Sequence, residues 1–273
     1  MKIVVCLKQV QDLDMVLSKD WVVNEEEYTV DISYANKIIN TYDATALELL
    51  ARLCEETNDI ESIALTASNK ESEKILRAAL SIKINQAIRI CIDEDLTYQT
   101  GAVSEMIKAA ILKIEKVDIV LCGRQASNGD SGQTGLILAE MLGWPCISLV
   151  TDIKKCDEYF LVTHQVENAM EILEVKPPFV ATVTQSDNKF LRMPTIKDVL
   201  NAKKKQITNW DLEELNINKE KLLKPVNTTL KRIYTEKNEN YCDMIQGDSI
   251  ENKVDKLYDK LKTFIVAAKG EVK

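Results

Sequence analysis

The chain has 273 residues, 45% of them apolar and 29% charged, which is the composition of an ordinary globular protein with one large domain or two. Its formal net charge of −8 leaves no basic field for nucleic acid or for an acidic membrane surface. No apolar run approaches 18 residues, so we expect neither a transmembrane span nor a signal peptide.

The cysteines and the histidine restrict the chemistry that the chain can perform. Seven cysteines are dispersed without a C-x-x-C pair, which indicates reduced thiols and a cytoplasmic location. A single histidine, His164, offers little for a catalytic triad or a histidine-rich metal site. We therefore expect no metal site and no catalytic residues.

The first half of the chain alternates strands with helices. Apolar runs predict strands over 3–7, 62–67, 87–92 and 117–123. Helical periodicity follows over 44–54, 70–81 and 100–116, and again after the glycine-rich loop as far as residue 144. A small exposed hairpin is predicted over 21–32. Asp43 is the expected N-cap of the first helix, and Ser68 and Asn69 are those of the second.

This alternation predicts an α/β fold with a doubly wound, mostly parallel, Rossmann-like sheet. Ligands of such sheets bind beyond the carboxyl ends of the strands, so 8–12, 67–69 and 123–134 should lie on one rim. The loop after the first strand has no glycine, so it is not a G-x-G-x-x-G dinucleotide fingerprint.

The segment from Gly123 to Gly135 contains four of the eight glycines in the chain, between a predicted strand and a predicted helix. Glycine allows a ligand to approach the backbone closely, and a helix N-terminus attracts phosphate. The loop is therefore a candidate phosphate site. The alternative is a tight strand-to-helix turn with a helix cap.

The second half begins with predicted strands over 146–153, 159–165 and 170–176, the last two joined as a hairpin through Glu167 and Asn168. Residues 179–184 predict a strand that could rejoin the main sheet. A helix-like segment then ends at Lys203, Lys204 and Lys205, and the chain from 206 reads as polar and irregular until a final helix over 252–268.

These patterns predict two regions. Residues 1–206 form the α/β domain, including the 159–176 hairpin and a 187–205 segment. Residues 207–273 form a C-terminal arm with a terminal helix and little core of its own. The arm could fold back on its own sheet, but we favour an arm that wraps a second subunit.

Four motifs occur in order along the chain. They are Lys8-Gln9-Val10-x-Asp12 after the first strand, Asn40-x-Tyr42-Asp43-x-x-Ala46-Leu47-Glu48, the loop from Gly123 to Gly135, and Leu191-Arg192-Met193-Pro194-x-Ile196 leading to the three lysines. With these motifs, the chain resembles the beta subunit of electron-transferring flavoprotein over nearly its whole length.

The resemblance implies a heterodimer whose alpha subunit holds a redox-active FAD. The beta subunit would bind AMP as a structural ligand or, in members that bifurcate electrons, a second FAD that NADH reduces. We favour the second FAD. The implied nucleotide contacts are Cys6, Asn40, Thr41, Tyr42, Asp43, Ala67, Gly123, Arg124, Gln125, Ala126, Ser127, Asn128, Gly129, Asp130, Ser131, Gly132, Gln133 and Thr134.

The resemblance also implies a surface for a flavin-containing dehydrogenase, such as an acyl-CoA dehydrogenase. The partner-binding residues would be Leu191, Met193, Pro194 and Ile196, with Met193 as a flexible apolar anchor. The alternative is a methionine buried under its own loop. The three lysines either steer acidic partners or form a solvated helix end.

Several residues depart from the family pattern. Gln11 stands where many members have proline, which counts against the bifurcating form, and Asn128 stands where an acidic residue is usual. The acidic-Gly-Gly-x-Glu pattern of the hairpin reads Glu-Asn-Ala-Met-Glu here, over 167–171. Arg124 could pair with a phosphate or form a surface salt bridge, and Asp130 could orient the loop or bind a ribose hydroxyl.

Two other classes of protein share this fold pattern. An ATP-using enzyme would need a glycine- and serine-containing phosphate loop after the first strand, and residues 8–12 offer neither residue type. A nucleotide-sensing homodimer would need neither the C-terminal arm nor the Met193 segment. We therefore predict an electron-transfer subunit.

Overall fold

The computed structural model describes residues 1–17, 20–57, 59–185, 190–224, 230–234 and 242–270, and side chains are described as far as residue 262. The chain divides into two compact units, Met1–Ile233 and Tyr234–Lys273. Across these described ranges, no helix combines the length and the apolar character needed to cross a membrane.

The first unit contains thirteen strands and six helices in its described part. In chain order the strands are β1 (Lys2–Cys6), β2 (Gln9–Gln11), β3 (Val22–Asn24), β4 (Thr29–Asp31), β5 (Lys37–Ile39), β6 (Glu61–Ser68), β7 (Gln86–Cys91), β8 (Val117–Gly123), β9 (Cys146–Cys156), β10 (Tyr159–Val166), β11 (Ala169–Val175), β12 (Phe179–Val183) and β13 (Thr208–Trp210). The helices are α1 (Thr41–Glu56), α2 (Glu73–Ser81), α3 (Thr100–Ile114), α4 (Thr134–Leu142), α5 (Ile196–Lys204) and α6 (Lys219–Leu222).

Nine strands form one sheet in the order β11-β10-β9-β12-β8-β1-β6-β7-β13. The pairs from β9 to β7 and on to β13 are parallel, and β10 and β11 add antiparallel strands at one edge. The predicted doubly wound, mostly parallel sheet is thus confirmed. The chain builds outward from β1 in both directions, so a topological switch point lies between β1 and β8.

The central strands are buried on both faces, which explains why they read as continuous apolar runs. Ile3 and Val5 of β1 pack into the core under α1 and α2, while Val4 and Cys6 pack into the core under α3 and α4. Side chains of a strand alternate between its faces, so one apolar pentapeptide serves both cores.

Most of the predicted elements are confirmed. The 21–32 hairpin is β3 with β4, the hairpin through Glu167 and Asn168 is β10 with β11, and the 179–184 strand rejoins the sheet as β12 between β9 and β8. Asp43 is not the N-cap of α1, because that position belongs to Asn40 and Asp43 lies within the first turn.

The chain after residue 206 departs from its prediction as an irregular arm. Residues Thr208–Trp210 form β13, which pairs in parallel with β7, and α6 follows. Leu212, Leu215, Ile217 and Leu222 are buried in the α3/α4 core, so the first compact unit runs to Ile233. A three-residue strand between polar residues gives too weak a pattern to identify from sequence.

The second unit contains helix α7 (Ile250–Gly270). Ile250, Val254, Leu257, Tyr258 and Leu261 recur at helical spacing and are all more than 40% exposed. Its amphipathic stripe therefore lacks an apolar cover among the described residues of the unit.

Arg192 fixes the predicted partner segment to α1. Its guanidinium donates from Nε and Nη2 to the two carboxylate oxygens of Glu48, both at 3.0 Å, and it also pairs with Glu55. Burial raises the pKa of Glu48, but hydrogen bonds from Arg192 and Arg52 outweigh that effect, and the net pKa lies below the ordinary value. This fork geometry is specific to arginine.

Arg192→Lys should therefore destabilise the protein, because lysine cannot reproduce the two-pronged contact with a buried carboxylate. We expect a loss of about 2 kcal/mol in the free energy of unfolding by urea. Arg52→Lys is the matched control, since Arg52 makes one contact with the same carboxylate and is more exposed. It should cost less than about 1 kcal/mol. Equal losses in the two variants would contradict the clamp.

Candidate functional site

A cleft of about 380 Å³ opens at the carboxyl ends of β1, β6, β7 and β8. It contains residues from all three segments that were expected on one rim, namely 8–12, 67–69 and 123–134. The predicted site residues that line it are Cys6, Asp43, Ala67, Gly123, Arg124, Gln125, Ala126, Asn128, Ser131, Gly132, Gln133 and Thr134. Its position beside the switch point matches the rule for ligand sites in such sheets.

The Asp43 carboxylate joins three elements beneath this cleft. One oxygen accepts a hydrogen bond from the Lys8 N–H at 2.7 Å, and the other accepts one from the Gly123 N–H at 3.1 Å. Burial raises the pKa of Asp43 to about 7, against the opposing effect of these bonds and of Asn40. The first turn of α1 is thereby tied to the ends of β1 and β8.

Glycine at 123 is a steric requirement of this junction. A Cβ there would overlap the Asp43 Oδ1 atom and lie 2.8 Å from the Asp43 backbone nitrogen. Asn40 extends the junction to the next loop, because its amide donates to the Gln125 carbonyl at 2.8 Å and its backbone N–H donates to the Lys8 carbonyl at 2.9 Å. The Asn40 side chain thus binds the loop and accepts no hydrogen bond from the first N–H groups of α1.

The N-terminus of α4 is the strongest candidate for binding an anion. The helix begins at Thr134, its N-cap is Gln133, and no side chain caps it. The first N–H groups of any helix lack an intrahelical acceptor, and here no N-cap side chain supplies one; the positive end of the helix dipole lies at the cleft. Ser131 and Thr134 add hydroxyl groups to the cleft lining at the same end.

The remaining walls of the cleft have two characters. Apolar side chains, among them Ile92, Leu96, Val103 and Ile107, could cover a flat ring, while Asp93, Glu94 and Asp95 supply carboxylates that could accept from sugar hydroxyls. Lys8 also lines the cleft, and burial lowers the pKa of its amine although Asp43 and Asp95 oppose that shift. The acidic trio and Lys8 were not among the predicted contacts, because nothing in the spacing marked them as ligands.

Two residues that depart from the family pattern contact each other at the edge of the cleft. The Asn128 amide donates to Gln11 Oε1 at 3.0 Å, and Lys8 Nζ donates to the Asn128 carbonyl at 2.9 Å. Sequence spacing could not reveal this contact, since 117 positions separate the two amides.

Some of the predicted contacts lie outside the cleft lining. These are Asn40, Thr41, Tyr42, Ser127, Gly129 and Asp130. Gly129 and Asp130 both have positive φ, at 81° and 43°, and form a turn that the Asp130 N–H closes onto the Ala126 carbonyl. The backbone of these two residues therefore shapes the loop.

Arg124 lines the cleft. Among the described residues, it forms no ion pair with a carboxylate. Its guanidinium stacks over the Tyr42 ring at 5.3 Å and donates to the Gln125 side chain at 2.8 Å. The salt-bridge alternative is therefore not what the structure shows. The guanidinium retains N–H groups that could donate hydrogen bonds to a phosphate.

The predicted partner residues differ in exposure. Met193 is 94% exposed and Ile196 is 82% exposed, so the alternative of a buried methionine is wrong. Phe190, at 84%, extends the same apolar surface although the sequence patterns did not indicate it. Leu191 instead packs against the α1/α2 core and anchors the segment. Of the three lysines at the end of α5, Lys205 donates from its amine to the Ile84 carbonyl.

Gly123→Ala should disrupt the Asp43 junction. The added methyl group must displace either α1 or β8, and we expect the free energy of unfolding to fall by at least about 2 kcal/mol. Gly101→Ala is the matched control, because a Cβ on that helical residue meets nothing within 4 Å. It should be neutral or stabilise by up to roughly 1 kcal/mol. Equal urea midpoints for the two variants would refute the steric argument.

Comparison with known proteins identifies the family of the chain. Residues 28–215 match the electron transfer flavoprotein domain. The chain is 30% identical over 263 residues to the caffeyl-CoA reductase–Etf complex subunit CarD of Acetobacterium woodii, covering 96% of this chain and 98% of that protein. It is 30% identical over 270 residues to the acryloyl-CoA reductase electron transfer subunit gamma of Anaerotignum propionicum, covering 95% and 99%.

A third relative carries the family name itself. The electron transfer flavoprotein subunit beta of Megasphaera elsdenii is 29% identical over 271 residues, covering 96% of this chain and 98% of that protein. The domain match covers more than half of the chain, and all three alignments extend over nearly the full length. The chain therefore belongs to the electron transfer flavoprotein family, as a protein of its beta-subunit type.

Proposed function

We propose that this chain is the beta subunit of a heterodimeric electron transfer flavoprotein and binds an adenine nucleotide in the cleft beyond β1, β6, β7 and β8. The observation that carries the proposal is the uncapped N-terminus of α4, which adjoins a glycine-rich loop on the cleft wall. An anion is the ligand that such a helix end favours.

The residues of the cleft suit the parts of such a nucleotide. Backbone N–H groups at the start of α4, with the Ser131 and Thr134 hydroxyls, would bind phosphate. Asp93 and Asp95 would accept from ribose hydroxyls, and the apolar wall at Leu96 would cover the adenine. A volume of about 380 Å³ lies within the ordinary range for small-molecule sites.

Within this function we favour FAD as the nucleotide of the cleft, in a complex that bifurcates electrons. When bound there, FAD would accept electrons from NADH and pass them onward. Support comes from two relatives whose names place them in CoA reductase systems, caffeyl-CoA reductase and acryloyl-CoA reductase. The alternative is AMP, a nucleotide that binds without redox chemistry, and Gln11 favours that alternative.

Two exposed apolar surfaces would serve the partners of the chain. The stripe on α7, with Leu257 and Leu261 near its centre, would pack on the alpha subunit as part of a wrapping arm. The surface of Phe190, Met193 and Ile196 would dock a flavin-containing dehydrogenase, such as an acyl-CoA dehydrogenase. Met193 adapts easily to different pockets because its side chain is unbranched and polarisable.

The nucleotides can be identified directly by denaturing the purified alpha–beta complex and separating the released nucleotides by chromatography. We expect two FAD per heterodimer, together with bleaching of the flavin absorbance by NADH. One FAD with one AMP would contradict the bifurcating assignment while leaving the cleft as the adenine-nucleotide site. A single FAD with no other adenine nucleotide would contradict the site itself.

Met193→Ala should slow electron delivery to or from the dehydrogenase about tenfold, since it removes an apolar contact made only in the complex. The measurement is the rate of flavin reduction at limiting dehydrogenase, with flavin content determined in parallel. Met15→Ala is the control, because Met15 is also exposed, at 57%, on a different segment. Equal docking rates for the two variants would refute the anchor role.

A further inference from the structure

Two segments that line the cleft are fastened together at one place. The tip of the 126–130 turn carries Asn128, which is half-buried between exposed neighbours. Its side-chain amide donates to Gln11 at 3.0 Å, and its backbone carbonyl accepts from Lys8 Nζ at 2.9 Å. Both the side chain and the main chain of one turn residue are therefore bound to the segment that follows β1.

The two fastened segments differ in how firmly they are held. Gln11 ends β2, which pairs with β5, and Val10 beside it is buried, so this side of the contact is fixed to the body of the domain. The turn contains two residues with positive φ, Gly129 and Asp130, and is exposed on both sides of Asn128. A turn of this kind depends on its contacts for a single conformation.

We propose that the Lys8–Asn128–Gln11 contact is a latch that holds the glycine-rich loop against the first strand segment and sets how tightly the cleft retains its nucleotide. The inference rests on the proposed function, because the retained ligand is the adenine nucleotide of the cleft. The loop continues from the latched turn directly into Ser131–Thr134, the residues assigned to phosphate. Releasing the turn therefore frees the phosphate-binding backbone and speeds dissociation.

The amide pair allows a specific test, since an amide can both donate and accept. In Gln11→Glu, the new carboxylate still accepts from the Asn128 amide. In Asn128→Asp, the Gln11 amide can rotate and donate to the new carboxylate. Each single variant keeps the hydrogen bond, whereas the double variant places two acceptors with like charges opposite each other and loses it.

The experiment measures dissociation of radiolabelled AMP from the full-length chain in complex with its alpha subunit, after the bound nucleotides have been removed. We expect AMP to dissociate about tenfold faster from the double variant than from either single variant, since only the double variant loses the hydrogen bond. AMP is the probe because it carries the adenosine and phosphate groups common to both candidate nucleotides.

Gln86→Glu provides the matched control. Gln86 donates to Glu61 at 2.7 Å across the starts of β7 and β6, at the end of the sheet opposite the cleft. The substitution places the new carboxylate at position 86 opposite that of Glu61, far from the cleft, and should leave AMP dissociation unchanged. If this variant released AMP as fast as the double variant, the effect would be general and the latch would be wrong.

The outcomes separate the latch from the function on which it rests. If the double variant released AMP no faster than its two parents, the latch would be refuted while the nucleotide site remained. If the wild-type complex bound no AMP at any concentration tested and also carried no adenine nucleotide in the cleft when purified, the site assignment and the latch would fail together.

Discussion

The cleft depends on one buried carboxylate. Asp43 accepts from the N–H groups of Lys8, two residues beyond the end of β1, and of Gly123, the last residue of the adjacent strand β8. Removing such an acceptor would leave two partly buried donors unpaired, each at a cost of about 1–3 kcal/mol. The same contact explains the glycine at 123, because the carboxylate occupies the space that a Cβ would need.

Next to that junction, hydrogen bonds to backbone groups hold the start of the loop that lines the cleft. The Asn40 amide donates to the Gln125 carbonyl, and the Arg124 N–H donates to the Val183 carbonyl of β12. The first two residues of the loop are therefore fixed. Beyond them the turn before α4 is held by the two contacts of Asn128 with Lys8 and Gln11, and by the hydrogen bond from the Asp130 N–H to the Ala126 carbonyl. Each part of the loop is therefore fixed by side chains or backbone groups close to the cleft.

The sequence predicted the location of the site better than its internal contacts. Strand and helix periodicity placed 8–12, 67–69 and 123–134 on one rim because apolar runs and parallel topology are regular properties. The prediction of Asp43 as an N-cap was wrong, although an aspartate near the start of a helix often has that role. The sequence cannot show that its carboxylate accepts instead from the distant N–H groups of Lys8 and Gly123. The Gln11–Asn128 contact and β13 join residues more than 100 positions apart, and pattern reasoning has no access to such pairings.

Helix α1 links the cleft to the exposed apolar surface around Met193. Asp43 binds the ends of β1 and β8, and Glu48, five positions later, binds Arg192 next to Met193. Five residues of α-helix span only about 7.5 Å, so a single rigid element holds both contacts. In this chain the separation between the cleft and the Met193 segment is therefore set by two carboxylates on adjacent turns of one buried helix, and not by the loops that carry these two surfaces.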